Sequence, residues 1–206
     1  MALRTPKVLV TILHQGYIRP ELGVLAAKMR EDKRVELDVL FLNRRPAEDA
    51  RNGSVSNMLN GGYDYLITID HDIVPIQNPL DLVFLNLDVV GCACPQLNMS
   101  CPEYPIYLVG MDIAEGGYKE HKDKKGLQKV DAVGSGCLVM SRKVLEAIKA
   151  PFMREWDENG MSKSGLDFFF CRKAKEKGFD VYCNYDYLCD HFKEVSLLSM
   201  LEFKHA

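Results

Sequence analysis

Two carboxylates spaced two residues apart stand out in this sequence. Asp70 and Asp72 frame His71 at the end of the apolar run Tyr65-Leu66-Ile67-Thr68-Ile69. In extended backbone, residues two apart point to the same side. A strand that runs out into two acids places them at the carboxyl edge of a sheet, where open α/β proteins bind their ligands. Two adjacent carboxylates are costly to hold together unless a cation neutralises them. Such oxygen donors suit Mg²⁺ or Mn²⁺, particularly where phosphate oxygens complete the shell. A solvated turn after a strand would carry the same two acids, so the chemistry depends on what surrounds them.

The surrounding elements alternate between strand and helix patterns, the signature of an α/β layer fold. Lys7–His14 reads as a first strand, and Pro20 opens a helix with apolar residues at helical spacing. A second strand is expected over 35–43, with Val35, Leu37, Val39 and Phe41 on one side. A helix over 47–59 should stop at Gly61-Gly62, and a third strand over 63–70 delivers the acids. Residues 78–86 read as a helix capped by Asn78 with Pro79 at its first position. A buried strand is expected over 88–94, and residues 95–129 read as strands and loops. A strand over 130–140 is broken by Gly134-Ser135-Gly136 and followed by a helix over 141–149. A helix over 166–177 stops at Gly178, and the last strand is expected over 179–185. There is no internal repeat, and one domain is the expected organisation.

With 206 residues, 47% of them hydrophobic and 27% charged, the chain can bury a core without staples. A net charge of −3 argues against broad nucleic-acid or anionic-membrane binding, while leaving room for a local phosphate site. The opening residues lack a signal peptide's cleavage site, and no apolar run approaches the roughly 20 residues of a membrane span. Seven cysteines scattered through apolar stretches read as reduced core thiols and a cytoplasmic home. Cys92, Cys94 and Cys101 are the closest group, and they lack the paired C-x-x-C spacing of a structural zinc site.

Four segments, in order, resemble the GT-A fold glycosyltransferases, particularly the family 2-like nucleotide-sugar enzymes. Ala50-Arg51-Asn52 is similar to an A-R-N element near the nucleotide diphosphate. Asp70-His71-Asp72 sits where the D-x-D metal motif belongs. The segment 133–140 resembles the glycine loop and strand beside the donor sugar. Gly165-Leu166-Asp167-Phe168-Phe169-Phe170-Cys171-Arg172, then Lys177-Gly178-Phe179 and Asp190-His191, resembles the tail "E-D-x-x-F-C-x-R … G-F … H". The likeness runs from about residue 7 to 191, with one departure: Leu166 stands where the family has Glu.

The resemblance implies an α/β, GT-A-like (Rossmann-like) single domain with a mainly parallel mixed central sheet flanked by helices. It also implies metal-dependent transfer of a sugar from a nucleoside-diphosphate donor, UDP-sugars being the commonest, to an acceptor hydroxyl. The acceptor classes the resemblance implies are a glycan, a lipid-linked glycan, a protein or a small molecule. Asp72, Asp70 and His191 are then the candidate ligands of Mn²⁺ or Mg²⁺, which would act as Lewis acid on the leaving diphosphate. Asp167 is the candidate general base, which implies inversion; a carboxylate favoured by a helix N-terminus is its plain alternative. Thr11 to His14, Arg51, Asn52, Asp70 and the Gly134-Ser135-Gly136 loop would hold the donor, and Trp156 would stack on the acceptor or anchor the core.

Two other readings stay open. Ile69-Asp70-His71-Asp72-Ile73-Val74 satisfies the D-x-D-x-[T/V] motif of haloacid-dehalogenase-like phosphatases, with Asp70 as nucleophile. That motif normally lies on a first strand, whereas two βα units precede it here. The Leu166 departure fits a GT-A domain that binds nucleotide or glycan without turnover. A dinucleotide dehydrogenase is disfavoured, because no G-x-G-x-x-G follows the first strand.

Overall fold

The computed structural model describes residues 4–43, 46–97, 106–115 and 117–194. Cys101 and the apolar stretch 195–203 lie outside them. In chain order the elements are β1 (Lys7–His14), α1 (Pro20–Arg30), β2 (Glu36–Asn43), α2 (Ala47–Asn60), β3 (Tyr65–Asp70) and β4 (Ile73–Pro75). A 3₁₀ helix (Pro79–Leu85) leads to β5 (Val89–Ala93), β6 (Pro95–Leu97), β7 (Ile106–Leu108), β8 (Gly110–Ala114) and β9 (Gly117–Glu120). The rest are β10 (Leu127–Val130), β11 (Ala132–Val133), β12 (Cys137–Ser141), α3 (Arg142–Ala147), β13 (Glu155–Trp156), β14 (Ser162–Ser164), α4 (Leu166–Glu176) and β15 (Val181–His191).

The central sheet has the order β10-β15-β5-β12-β3-β1-β2, with β4 paired to β15 at one end. β2, β1 and β3 are mutually parallel, β5 and β15 are parallel to each other, and β12 runs antiparallel between β3 and β5. This is a mixed, mainly parallel sheet covered by helices. Its inner strands are buried on both faces, which is why they read as unbroken apolar runs rather than alternating ones. β5 and β12 are buried at every position.

Each face carries its own core. On one, Met58 of α2, Leu145 of α3 and Phe170 of α4 pack on Leu9, Leu66 and Leu138. On the other, Leu22, Ala26 and Met29 of α1 pack on Val8, Val10 and Ile12. Those three α1 residues fall at i, i+4 and i+7, one face of a helix. Helix ends follow the sequence signals. Gly178 takes φ +84° after α4, and Phe179 N–H donates to the Ala174 carbonyl at 3.0 Å, closing the last turn.

The last strand is longer than expected, and two other elements gain detail. The helix expected after Asn78 is a 3₁₀ helix over residues 79–85. Asn78 accepts from Leu80 N–H at its start and Asn86 turns left-handed (φ +54°) at its end, so capping residues close the segment within two turns. In β2, Phe41 is 41% exposed, because this edge strand is only partly covered. The last strand does not stop at Tyr185. Its register with β5 shifts between Asn184 and Leu188, and beyond that bulge it continues to His191 by pairing with β4.

Candidate active site

β3 ends at Asp70, whose backbone N–H donates to the Gly136 carbonyl at 2.9 Å. The glycine loop before β12 and the acids after β3 are therefore tied together at the carboxyl edge of the sheet. A cavity of about 250 Å³ opens there, lined among others by His14, Arg51, Asp70, Asp72, the Gly134-Ser135-Gly136 backbone, Asp167, His191 and Lys193.

Arg51 is buried on α2 and points at this edge. Its Nη2 donates to both carboxylate oxygens of Asp70 at 2.8 Å, and Nη1 donates to the Ser135 carbonyl at 3.3 Å. Burial pushes the Asp70 carboxyl above its ordinary range; Arg51 opposes that, while Asp72 and Asp167 add to it. The guanidinium thus holds Asp70 and the glycine loop in one place. Its charge is engaged with the Asp70 carboxylate at the cavity wall.

Asp72 has a different set of partners. Because β15 continues past its bulge, His191 lies opposite Ile73, one residue from Asp72. His191 Nδ1 is 2.6 Å from the Pro95 carbonyl, and its Nε2 is 3.3 Å from Asp72 Oδ2. A carbonyl only accepts, so Nδ1 carries a proton, and Nε2 can meet the carboxylate either with a second proton or through a cation held between them. Two acceptors face each other unless a proton or a cation lies between them. A backbone carbonyl that fixes the far nitrogen is how proteins orient a metal-binding imidazole. Lys193 also donates to Asp72 Oδ2, at 2.8 Å. Burial raises the Asp72 carboxyl, but hydrogen bonds from His191 and Lys193 and their charges outweigh it and hold the group far below the usual range.

Asp167 stands in the first turn of α4 and lines the cavity. A Cβ at Gly165 would come within 2.6 Å of Asp167 Oδ1, so the glycine leaves room for the carboxylate. Asp167 has no ion-pair partner among the described residues. Leu166, at the departure from the family pattern, opens α4 and is buried in the core.

Three expected site residues lie elsewhere. Thr11 sits inside the sheet opposite Thr68, fully buried, and does not reach the cavity. The Asn52 side chain donates to the Phe152 carbonyl (2.7 Å) and accepts from Phe152 N–H (3.1 Å), bracing α2 against the loop before β13. Trp156 is 58% exposed on the β13–β14 hairpin, neither a core anchor nor a wall of the cavity. Gly134 and Gly136 are needed for space within the protein, not for left-handed backbone. Added Cβ atoms would meet Val109 Cγ1 at 3.2 Å and Ile73 Cγ1 at 3.0 Å. Lys193 was not anticipated; its only sequence signal is a cation two residues after His191.

No protein-family model matches the chain, and a search of curated proteins finds no match. Solved structures do resemble it. A197 from STIV superposes with a TM-score of 0.62 at 20% identity, over 91% of this chain and 86% of that one. GalNAc-T7, solved with UDP, GalNAc and Mn²⁺, gives 0.54 at 12% identity over 93% of this chain. This chain spans 44% of GalNAc-T7. UDP-glucose pyrophosphorylase complexed with UDP-glucose gives 0.52 at 8% identity, over 98% of both chains. These likenesses establish the architecture: an α/β fold compatible with the Rossmann-like GT-A class. Two of the three structures hold a uridine nucleotide or nucleotide sugar. Among the described residues, no helix is long and apolar enough to cross a membrane.

Proposed function

We propose that this protein is a metal-dependent glycosyltransferase of a single GT-A-like domain, which moves a sugar from a UDP-sugar to an acceptor hydroxyl. One observation carries the reading above all: the Asp72–His191 pair, its imidazole fixed by the Pro95 carbonyl, at the mouth of a cavity on the carboxyl edge of this fold. The uridine nucleotides held by two of the similar structures support the choice of base.

Asp72 and His191 offer one oxygen and one nitrogen donor, a mixed set that suits Mn²⁺ and accommodates Mg²⁺. When bound, the ion supplies Lewis acidity to the departing diphosphate. Asp70, clamped by Arg51, keeps an acceptor at the cavity wall for a donor hydroxyl. The Gly134–Gly136 backbone bounds the space where the sugar would lie, and His14 borders the nucleoside end. Asp167 is the general base: it faces the cavity with no ion-pair partner among the described residues and can accept the proton of an attacking hydroxyl. Attack assisted from that side gives inversion. Trp156, exposed on the hairpin just before α4, is placed to stack on an acceptor outside the cavity. The six described cysteines are free thiols, which supports the cytoplasmic setting, and the net charge of −3 supports a small-molecule rather than nucleic-acid partner.

The geometry counts against the phosphatase reading. Asp70 would be the nucleophile there, yet both its oxygens accept hydrogen bonds from Arg51. A thermal-shift panel of UDP, GDP, CDP and dTDP, each with Mn²⁺, Mg²⁺ or EDTA, tests the proposal. At 100 times its dissociation constant a ligand adds about 2.7 kcal/mol, a rise of roughly 5–10 °C for a chain of this size. A shift with UDP that EDTA abolishes supports the reading. A UDP shift indifferent to EDTA refutes the metal site. Metal-dependent UDP binding with no turnover across acceptors would favour the non-catalytic binder.

A further inference from the structure

Beneath the cavity floor lies a group of thiols that the proposed reaction does not use. Cys92 is on β5, Cys137 on β12 and Cys189 on β15, three adjacent strands, and all three belong to the core on the α1 face of the sheet. Cys137 falls opposite Cys92 in the antiparallel register, next to the Leu138–Gly91 pair. Cys189 follows Leu188, which pairs with Ala93, and so lies beside Cys94. The Sγ atoms of Cys92 and Cys137 are 3.4 Å apart, and those of Cys92, Cys137 and Cys189 all lie within 4.8 Å of one another. Cys94, one residue past β5 and in the same core as Cys92, also lines the cavity.

We propose that Cys92, Cys137 and Cys189, with Cys94 as the fourth donor, form a zinc-binding thiolate site that staples β12, β5 and β15 together. Sulfurs 2.3 Å from a tetrahedral zinc stand roughly 3.8 Å apart, within the span that Cys92, Cys137 and Cys189 already occupy, while Cys94, outside that group, would turn in from the cavity side. Thiolate donors select soft d¹⁰ ions over the Mn²⁺ or Mg²⁺ favoured by the acids above. Cys94 supplies the route in, since it alone of the four borders the cavity. The site has a consequence for positioning. Cys137 immediately follows Gly136, and Cys189 precedes His191 by two residues, so an ion there fixes both the glycine loop and the imidazole.

The test is a Co²⁺ titration of the reduced, metal-stripped full chain. Thiolate-to-cobalt charge transfer gives an intense near-ultraviolet band, which oxygen and nitrogen ligands do not. The expected result is that band saturating at one cobalt per chain, retained in Asp72→Ala and His191→Ala, and lost in Cys92→Ser and Cys137→Ser. A titration without the band overturns the proposal, as does a band that persists in both cysteine variants. If the serine variants fail to fold, the unaltered chain decides. Zinc retained through gel filtration at one per chain, and released only as a mercurial blocks the thiols, supports the site; thiols that react freely without zinc release refute it. Failure here leaves the Asp72–His191 reading untouched, because that site gives no such band.

Discussion

Arg51→Met tests the buried ion pair at the heart of the site. Arg51 leaves 7% of its side chain exposed and Asp70 leaves 28%. Removing one partner of a fully buried pair costs about 3–5 kcal/mol, because the other charge stays desolvated. The partial exposure of Asp70 scales that to about 2–4 kcal/mol, with methionine filling most of the volume. For a chain of this length the melting temperature should fall by roughly 4–15 °C. The pH dependence identifies the cause. Asp70 already has a raised folded-state pKa, and loss of Arg51 raises it further. In the window between the unfolded and folded values the native state binds more protons, so stability falls as pH rises. The deficit of the variant should therefore shrink as pH falls through the folded value and the carboxyl becomes neutral. Urea unfolding at pH 7 and pH 5 measures this, and the double variant Arg51→Met/Asp70→Asn should recover most of the loss at pH 7. A deficit below about 1 kcal/mol, one equal at both pH values, or no rescue by Asp70→Asn would refute the reasoning.

Four further outcomes follow from the same geometry. Asp72→Ala should abolish metal-dependent UDP binding with the fold intact; unchanged affinity by calorimetry would sink the metal assignment. Asp167→Asn should keep UDP-sugar binding and lose about 10²–10⁴-fold in transfer, and full retained activity would remove it as base. Lys193→Ala should tighten Mn²⁺ binding, because its ammonium holds the Asp72 oxygen that faces His191; weaker or unchanged affinity would show that it does not compete. Gly136→Ala would set a methyl 3.0 Å from Ile73 Cγ1 and 3.2 Å from Cys94 Sγ. It should cost about 1–3 kcal/mol in chemical denaturation, with a neutral result showing that the loop has room to move.

Strands buried on both faces announce themselves as apolar runs, and so β1, β3, β5 and β12 were legible almost residue by residue. The same property concealed Thr11. On a strand with one wet face, a threonine among apolar residues marks the exposed side; on β1 both faces are covered, and the alternation that would place it does not exist. The end of β15 was hidden for a related reason. Local pattern stops at the bulge after Asn184, and the partner that restores pairing is a three-residue strand more than a hundred positions earlier in the chain.

The site divides along the same line between local and distant information. Asp70 and Asp72 could be placed because one strand carries both, and Asp167 because a helix start fixes it. What their neighbours do is set by contacts no spacing encodes. Arg51 reads as a donor-binding cation until Asp70 and the Ser135 carbonyl are seen to take its hydrogen bonds, and Asn52 reads likewise until Phe152, a hundred residues on, satisfies it at both ends. The cysteines are the sharpest case. Along the chain Cys92, Cys137 and Cys189 are 45 and more residues apart and show no ligand spacing. Strand order alone makes them neighbours, because β12 and β15 flank β5. A metal motif carried on one loop is visible in sequence, whereas one assembled across a sheet becomes visible only when the strand order is known.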